Sequence, residues 1–433
     1  MYSAYLDLNP ARALSVRTLG SASRRIYFSP VAPLRVRRMP PAPLPDGRWV
    51  RVHNLLAGIE LDEVERTTSP IAAGLAPTAA PQPRRIYLGR EVVGEVIEVG
   101  PDARFLQRGD RVAFQDGPCC ATHEIEPPCR QCAMGAYALC ENRYLPGYEQ
   151  VGGAWGDEMV LHERQLFLVP DGVQTEQAAL IEPTAAALHA ALRYLPQVDD
   201  QALVLGTEMH GLLITQALRA LSPMLNITVA PQQGYQVEVA TRMGANRILY
   251  PEDGVVAIAR MTNAKLYRGQ MGAETLVGGF DVVYDTIGSE QSLRQALMWT
   301  REGGVVVLAS RSLHWMRLDM SPIWNREVSL IGAFGHGAEM WPGGGDLAVG
   351  GSTGGRVSTF TLAAEMLREQ RLTPERLVTH RFPLREIKTA ITTARDRVEH
   401  RAIKVMLDVR DIADMPLLDD ADDPALLPGP QGG

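Results

Sequence analysis

The sequence lacks several features that would assign the protein to whole classes. None of its 433 residues lie in an apolar run long enough to span a bilayer, so we expect no membrane-spanning segment. Acidic residues outnumber basic ones by 50 to 43, for a formal net charge of −7, which disfavours a nucleic-acid partner. Residues 1–8 show no basic flank before an apolar core. This pattern predicts no secretory signal and a cytoplasmic location.

Cysteine is scarce, and its five positions all lie between Cys119 and Cys140. A disulfide framework would scatter its cysteines along the chain and would need an even number of them. Clustered cysteines in a cytoplasmic chain indicate metal binding instead.

The pattern of apolar residues divides the chain into segments. Residues 1–24 predict a weakly structured extension, and residues 411–433 predict a disordered acidic tail. From 25 to 195, short alternating segments, beginning at 25–28, are typical of a small bent barrel. From 196 to 338, strands alternate with helices, which predicts a parallel sheet. Residues 66–84 and the glycine-rich stretch 341–356 read as loops, and residues 339–410 return to strand.

The stretch 202–212 has the pattern that opens a dinucleotide fold. An apolar run ends at Gly206, and a helical pattern follows Gly211, so backbone N–H groups at the helix start could hold a pyrophosphate. In the expected G-x-G-x-x-G spacing, Thr207 follows the first glycine and Glu208 replaces the middle one. We expect Glu208 to weaken dinucleotide binding by ~1–3 kcal/mol, because it adds bulk and negative charge beside an anion.

Three stretches together resemble the medium-chain dehydrogenase/reductase superfamily, the zinc-type alcohol dehydrogenases. They are the cysteine loop, the dinucleotide half, and a near match to the family's G-H-E-x2-G-x5-G signature, formed by Gly89, Arg90, Glu91, Gly94 and Gly100. Residues 402–405 also resemble the family's closing strand. The resemblance, which covers about residues 25 to 408, implies an α/β fold. A GroES-like small β-barrel catalytic domain is interrupted by a Rossmann parallel-sheet domain, with the active site between them.

The resemblance implies a structural zinc site in the cysteine loop. Cys129, Cys132 and Cys140 have the spacing of the last three of the family's four zinc ligands. Glu126 occupies the place of the first, so the fourth ligand is Cys120, Cys119 or Glu126, and we favour Cys120. Four thiolates arranged as a tetrahedron are what structural zinc requires.

The catalytic zinc site implied by the family is altered. Glu60 follows 57–59 where the family has cysteine, and Arg90 replaces the histidine, while Glu91 and Glu182 are kept. Asp62 stands where a relay hydroxyl is expected. Arginine has no acceptor and stays protonated, so it cannot bind a cation. Arg90 is therefore predicted either to take the metal's place among the three glutamates or to form an ordinary salt bridge.

The cofactor site implied by the family also departs from its pattern. Gly206, Thr207, Glu208, Gly211 and Gly288 lie at the predicted cofactor-binding positions, but the second strand ends at Ala230 without the usual acidic residue for the ribose. NAD or NADP binding is therefore a weaker prediction than structural zinc.

Two functions remain open from the sequence. The first is an oxidoreductase that uses NAD(P) to transfer hydride to or from an alcohol, a carbonyl or an activated alkene, without catalytic zinc. The second is a catalytically inactive paralogue that serves as a structural or ligand-binding subunit. In either case we expect a small-molecule ligand, no membrane or nucleic-acid partner, and a homo-oligomer, either a dimer or a tetramer.

Overall fold

The computed structural model describes residues 1–19, 24–68, 85–115, 117–147, 150–250, 252–270, 272, 274–312, 315–341 and 356–410. The strands in these residues are β1 Tyr2–Asp7, β2 Leu34–Arg38, β3 Trp49–Ile59, β4 Arg85–Tyr87, β5 Val92–Val99, β6 Arg111–Phe114, β7 Glu158–His162, β8 Leu166–Leu168, β9 Gln201–Leu205, β10 Asn226–Ala230, β11 Arg247–Ile248, β12 Lys265–Arg268, β13 Glu274–Val277, β14 Phe280–Asp285, β15 Thr300–Leu308, β16 Ser329–Gly332, β17 Ala338–Met340, β18 Arg356–Ser358, β19 Val378–Pro383 and β20 Lys404–Asp408.

The helices of the same residues are α1 Pro10–Leu19, α2 Leu61–Thr68, α3 Arg130–Ala133, α4 Thr175–Ala178, α5 Ile181–Arg193, α6 Met209–Leu221, α7 Val237–Arg242, α8 Gly254–Thr262, α9 Glu290–Trp299, α10 Ser321–Asn325, α11 Thr359–Arg368, α12 Ile387–Arg395 and α13 Arg397–His400. None of these helices is long and apolar enough to cross a bilayer.

The first strand corrects the prediction for residues 1–24. β1 lies between β2 and β4 in an antiparallel three-stranded sheet, so the segment is not a weakly structured extension. Ala4 and Leu6 are buried in the same apolar cluster as the barrel residues Val50 and Val96. The predicted strand at 25–28 is also wrong, because Arg24–Phe28 forms a 3₁₀ helix.

Strands from both ends of the chain form one sheet. It runs in the order β19-β20-β3-β5-β6-β8, with β7 also paired to β3. The neighbours are antiparallel except for β19 and β20. β20 pairs with the carboxyl end of β3, with Val405 opposite Ile59. This pairing brings the closing segment to the loop that carries Glu60.

The six-stranded sheet inserted between these strands is parallel, in the order β11-β10-β9-β14-β15-β16. Its central strands β9, β10 and β14 are largely buried, as expected for a parallel sheet with helices on both faces. Alternate side chains of β9 enter different apolar clusters: Ala202 and Val204 one, Leu203 and Leu205 the other. The predicted α/β fold, a parallel Rossmann-type sheet beside a mainly antiparallel sheet, is confirmed.

The remaining sequence predictions for loops are only partly within the described residues. Residues 66–68 belong to α2 rather than to a loop, and 69–84 lie outside the described part. Residues 342–355 of the glycine-rich stretch and the tail 411–433 also lie outside it. The predicted domain limits stay predictions.

Candidate active site and cofactor cleft

Three glutamates from separate elements meet at one point. Glu60 lies between β3 and α2, Glu91 directly precedes β5, and Glu182 lies in the first turn of α5. One carboxylate oxygen of each lies within 4.8 Å of the other two. The structure thus brings together three of the residues predicted from the sequence.

Arg90 is the fourth predicted member of this cluster. Its Nη2 lies 2.6 Å from Glu60 Oε2 and 3.9 Å from Asp62 Oδ2. The charge of Glu60 raises the pKa of Arg90 well above its ordinary value, so the guanidinium stays protonated. The Arg90 side chain is 38% exposed, so part of it is open to solvent.

A second cation reaches the cluster from the closing strand. Lys404, on β20, is 3% exposed, forms an ion pair with Glu91, and donates a hydrogen bond of 3.1 Å to the carbonyl of Ile59. A Cβ added at Gly58 would lie 1.9 Å from the Glu91 carboxylate and 2.8 Å from Lys404 Cε, so only glycine leaves room for this pair. No pattern in the sequence indicates this role of Lys404.

These contacts do not fit a catalytic zinc. Two of the three carboxylates already pair with cations, Glu60 with Arg90 and Glu91 with Lys404. Of the three ligand positions that the family implies, Glu60 and Glu182 hold two and Arg90 holds the third. Arg90 has no acceptor and would place a positive charge beside the ion, so this set lacks the chemistry of a zinc site.

Asp62 links this cluster to the parallel sheet. It lies in the first turn of α2, and its Oδ2 is 2.5 Å from Nη1 of Arg311, a residue that follows β15. Burial alone would raise the pKa of Asp62, but Arg90 and Arg311 hold it below its usual range. Asp62 is therefore ionised and cannot serve as the proton-relaying hydroxyl that it replaces. Arg311 was not predicted as a site residue.

The glycine turn after β9 has the backbone geometry of a dinucleotide fold. Gly206 has φ +100°, and a Cβ at Gly211 would lie 2.2 Å from the Gly206 carbonyl oxygen, so both positions require glycine. Thr207 is buried and donates a hydrogen bond of 2.5 Å to Gln236, which ties the turn to the segment after β10. Helix α6 begins directly after the turn.

Glu208 is paired rather than free. Its Oε1 accepts a hydrogen bond of 2.6 Å from Nε of Arg397, a residue of α13 in the closing part of the chain. The expected repulsion between Glu208 and a pyrophosphate assumed that the Glu208 charge has no partner. Arg397 supplies a compensating positive charge, and no pattern in the sequence indicated this pair.

The ends of β10 and β14 complete the cleft. β10 ends at Ala230, and the exposed Gln232 follows where an acid would bind a ribose. Gly288, with φ +69°, donates its backbone N–H to Oδ1 of the buried Asp285. The pyrophosphate turn therefore fits a dinucleotide, whereas the ribose position lacks its acidic partner.

The cysteine loop brings four thiols together. The sulfurs of Cys120, Cys129, Cys132 and Cys140 lie within 4.8 Å of one another, and those of Cys120 and Cys140 are 3.7 Å apart. Ligands about 2.3 Å from a tetrahedral zinc lie about 3.8 Å from one another. The backbone N–H of Asn142 donates to the Cys140 sulfur, as thiolate ligands require.

Of the three candidates for the fourth zinc ligand, the structure places only Cys120 beside the other cysteines. Cys120 joins the group, whereas Cys119 lies against Thr122 and Glu126 is exposed. The residues present therefore fit a structural zinc, held by the thiolates of Cys120, Cys129, Cys132 and Cys140. Within the described residues, no histidine belongs to a comparable group of potential metal ligands.

Comparisons with known proteins agree with this arrangement. Residues 46–171 match the model of the alcohol dehydrogenase GroES-like domain, and residues 211–350 match that of the zinc-binding dehydrogenases. Together the two matches cover more than half of the chain. The chain belongs to the medium-chain dehydrogenase/reductase superfamily of zinc-type alcohol dehydrogenases, and hence to the oxidoreductases of the alcohol dehydrogenase type.

Relatives of known activity cover most of the chain. L-idonate 5-dehydrogenase of Vitis vinifera is 28% identical over 75% of this chain and 79% of its own length. Sorbitol dehydrogenase of Bacillus subtilis is 26% identical over 74% of this chain and 80% of its own length. The crystal structure of 2R,3R-butanediol dehydrogenase from Bacillus subtilis superposes with a TM-score of 0.67 at 24% identity, over 87% of this chain and 96% of that one.

Proposed function

We propose that the protein is an NAD(P)-linked oxidoreductase that interconverts an alcohol and a carbonyl compound without a catalytic zinc. The observation that carries this proposal is the place of Arg90, which pairs with Glu60, one of three converging carboxylates, and whose side chain is 38% exposed. In a carbonyl reduction the substrate oxygen gains negative charge as hydride arrives. A fixed guanidinium can stabilise that charge by charge-assisted hydrogen bonds.

Arg90 is held for this task by Glu60, which binds Nη2 at 2.6 Å. Its other N–H groups have no hydrogen-bond partner in the part of the chain that the structure describes. Arginine stays charged at neutral pH, so Arg90 would polarise the oxygen and would not act as an acid. The proton that completes the alcohol would come from solvent water, since the side chain of Arg90 is partly exposed; in alcohol oxidation the same proton would return to water. The same arrangement could polarise the carbonyl of an activated alkene.

The dinucleotide would lie against the glycine turn, with its pyrophosphate at the start of α6 near Gly206 and Gly211. When bound, it supplies the hydride. The family, and neighbours such as a putative zinc-binding dehydrogenase from Sinorhizobium meliloti bound to NADP, support this cofactor class. Relatives named for L-idonate, sorbitol and butanediol support a small-molecule substrate.

A structural zinc and a homo-oligomer complete the proposal. Zinc at the four clustered thiols would tie together a loop that has little regular structure. For self-association, β16 lies at the edge of the six-stranded sheet, where Leu330 is 37% exposed and the nearby Trp324 is 75% exposed. Such an edge can pair with a second copy. A cytoplasmic location would keep the free thiols reduced.

The test begins with fluorescence titration of the purified protein with NADH and NADPH, followed by assays on a panel of polyols and ketones. We expect binding of at least one nucleotide, and activity that persists after dialysis against a chelator. Arg90→Gln should lower kcat by roughly 10²- to 10³-fold, as is typical for loss of a group that stabilises a developing oxyanion. Arg108→Gln, in an exposed turn, is the matched control.

The rival function is a catalytically inactive paralogue. The specific observation in its favour is the ion pair between Glu208 and Arg397, which places side chains beside the turn where a pyrophosphate would bind. Failure of both nucleotides to bind would favour this rival and refute the oxidoreductase. Activity abolished by the chelator while the zinc of the cysteine loop is retained, and restored by added zinc, would refute the role given to Arg90.

A further inference from the structure

The segment after β10 could accommodate the 2′-phosphate of NADP, in addition to the pyrophosphate at the glycine turn. In a Rossmann fold, an acid at this position binds the ribose 2′-hydroxyl of NAD and repels the 2′-phosphate of NADP. Here the strand ends at Ala230, and the two residues that follow Pro231 are Gln232 and Gln233. Neutral amides can donate hydrogen bonds to a phosphate and carry no charge that would repel it.

The closing part of the chain brings Arg397 to the glycine turn and to the segment after β10. Arg397 binds Glu208 of the glycine turn through Nε at 2.6 Å. Its carbonyl oxygen lies 3.5 Å from the hydroxyl of Tyr235, five residues after the end of β10. Arg397 therefore contacts both walls of the adenosine site: the glycine turn through its guanidinium and the segment after β10 through its backbone carbonyl.

The guanidinium has donors to spare. The ion pair with Glu208 uses Nε, and the side chain of Arg397 is 33% exposed. The two terminal nitrogens can bind a phosphate in the planar, two-pronged manner typical of arginine. Glu208, whose side chain is 20% exposed, restricts the rotamers of Arg397 through the bond to Nε and leaves the two terminal nitrogens available.

We propose that Arg397 binds the 2′-phosphate of NADP(H), that Glu208 is its positioning residue, and that the protein prefers NADP(H) to NAD(H). This inference rests on the proposed function. It gives Glu208 the opposite role to the one expected from the glycine pattern. The carboxylate fixes a phosphate-binding arginine instead of weakening the phosphate site.

The experiment measures binding of NADPH and NADH by fluorescence, and of 2′,5′-ADP and 5′-AMP by calorimetry, to the full chain. We expect the wild type to bind NADPH and 2′,5′-ADP more tightly than their counterparts. Arg397→Gln should weaken these two ligands by roughly 10- to 100-fold, the range for a charge-assisted hydrogen bond. NADH and 5′-AMP should change by less than about threefold. Arg401→Gln, an exposed neighbour on the same segment, is the matched control and should change nothing.

Glu208→Gln tests the positioning role. It should weaken NADPH binding in the same direction as Arg397→Gln, because it releases the guanidinium. Tighter NADPH binding by Glu208→Gln would overturn that role. Equal weakening of NADPH and NADH by Arg397→Gln would overturn the assignment to the 2′-phosphate, as would a wild type that prefers NADH. A wild type that binds NADPH and NADH equally would also refute the preference, while one that binds neither would refute the proposed function as well.

Discussion

Replacing Lys404 by methionine should expose how much the site depends on its buried ion pair. Lys404 and Glu91 are 3% and 5% exposed at their side chains. The substitution conserves most of the apolar volume but leaves the Glu91 carboxylate buried without its cation. Removing one partner of a buried pair typically costs about 3–5 kcal/mol, because the remaining charge has lost its compensation. We expect Lys404→Met to lower the free energy of unfolding by about that amount.

The matched experiment is a double-mutant cycle followed by urea denaturation. Glu91→Gln alone leaves a buried ammonium and should also destabilise, whereas Lys404→Met with Glu91→Gln removes both charges. Because apolar or neutral replacements of a whole buried pair are often nearly neutral, the double variant should recover at least about 2 kcal/mol relative to the sum of the single variants. A cost below about 1 kcal/mol for Lys404→Met, with no recovery in the double variant, would refute this account of the cluster.

Three further predictions concern the metal sites and Glu63, a buried acid in the first turn of α2 that accepts a hydrogen bond from the backbone N–H of Gly89. Elemental analysis should find one zinc per chain, held by the cysteine loop; two tightly bound zincs would contradict the unsuitable ligand set around Arg90. Arg90→His alone should not create metal-dependent alcohol oxidation, since Glu60 and Glu182 would leave a carboxylate-rich set with one histidine, which selects weakly for zinc; activity restored by added zinc would refute this. Burial raises the pKa of Glu63 from 4.5 to about 7, so the folded state favours the protonated carboxyl, and this stabilisation is lost as pH rises through 7. Relative to the wild type, Glu63→Gln should therefore be more stable at pH 8 than at pH 5, by up to roughly 3 kcal/mol in urea denaturation; equal effects at both pH values would contradict it.

Features determined by short stretches of chain could be predicted from the sequence. The glycine turn depends on the positive φ of Gly206 and on the close approach of Gly211 to the Gly206 carbonyl, five residues away. The group of four cysteines could also be predicted, because the loop from Cys120 to Cys140 is short enough to bring its thiols around one ion. The fold followed from the order of such local patterns, since alternating strands and helices form a parallel sheet.

Contacts between distant residues could not be predicted in the same way. Arg397 is 189 residues from Glu208, and Arg311 is 249 residues from Asp62. Arginine is common on protein surfaces, so no local pattern distinguishes these two from the others. Glu208 was consequently treated as an unpaired charge. The first strand escaped prediction for a related reason: its neighbours β2 and β4 lie about 30 and 80 residues further along the chain.

Two cations balance most of the charge of the three converging glutamates. A divalent ion would contribute two positive charges among Glu60, Glu91 and Glu182; Arg90 and Lys404 contribute the same total as two separate cations. The two cations differ in burial, however. Lys404 is enclosed by Glu91 and the carbonyl of Ile59, whereas the side chain of Arg90 is partly exposed. Under the proposed function, the buried ammonium therefore stabilises the cluster, and Arg90 is the residue that would contact a substrate oxygen.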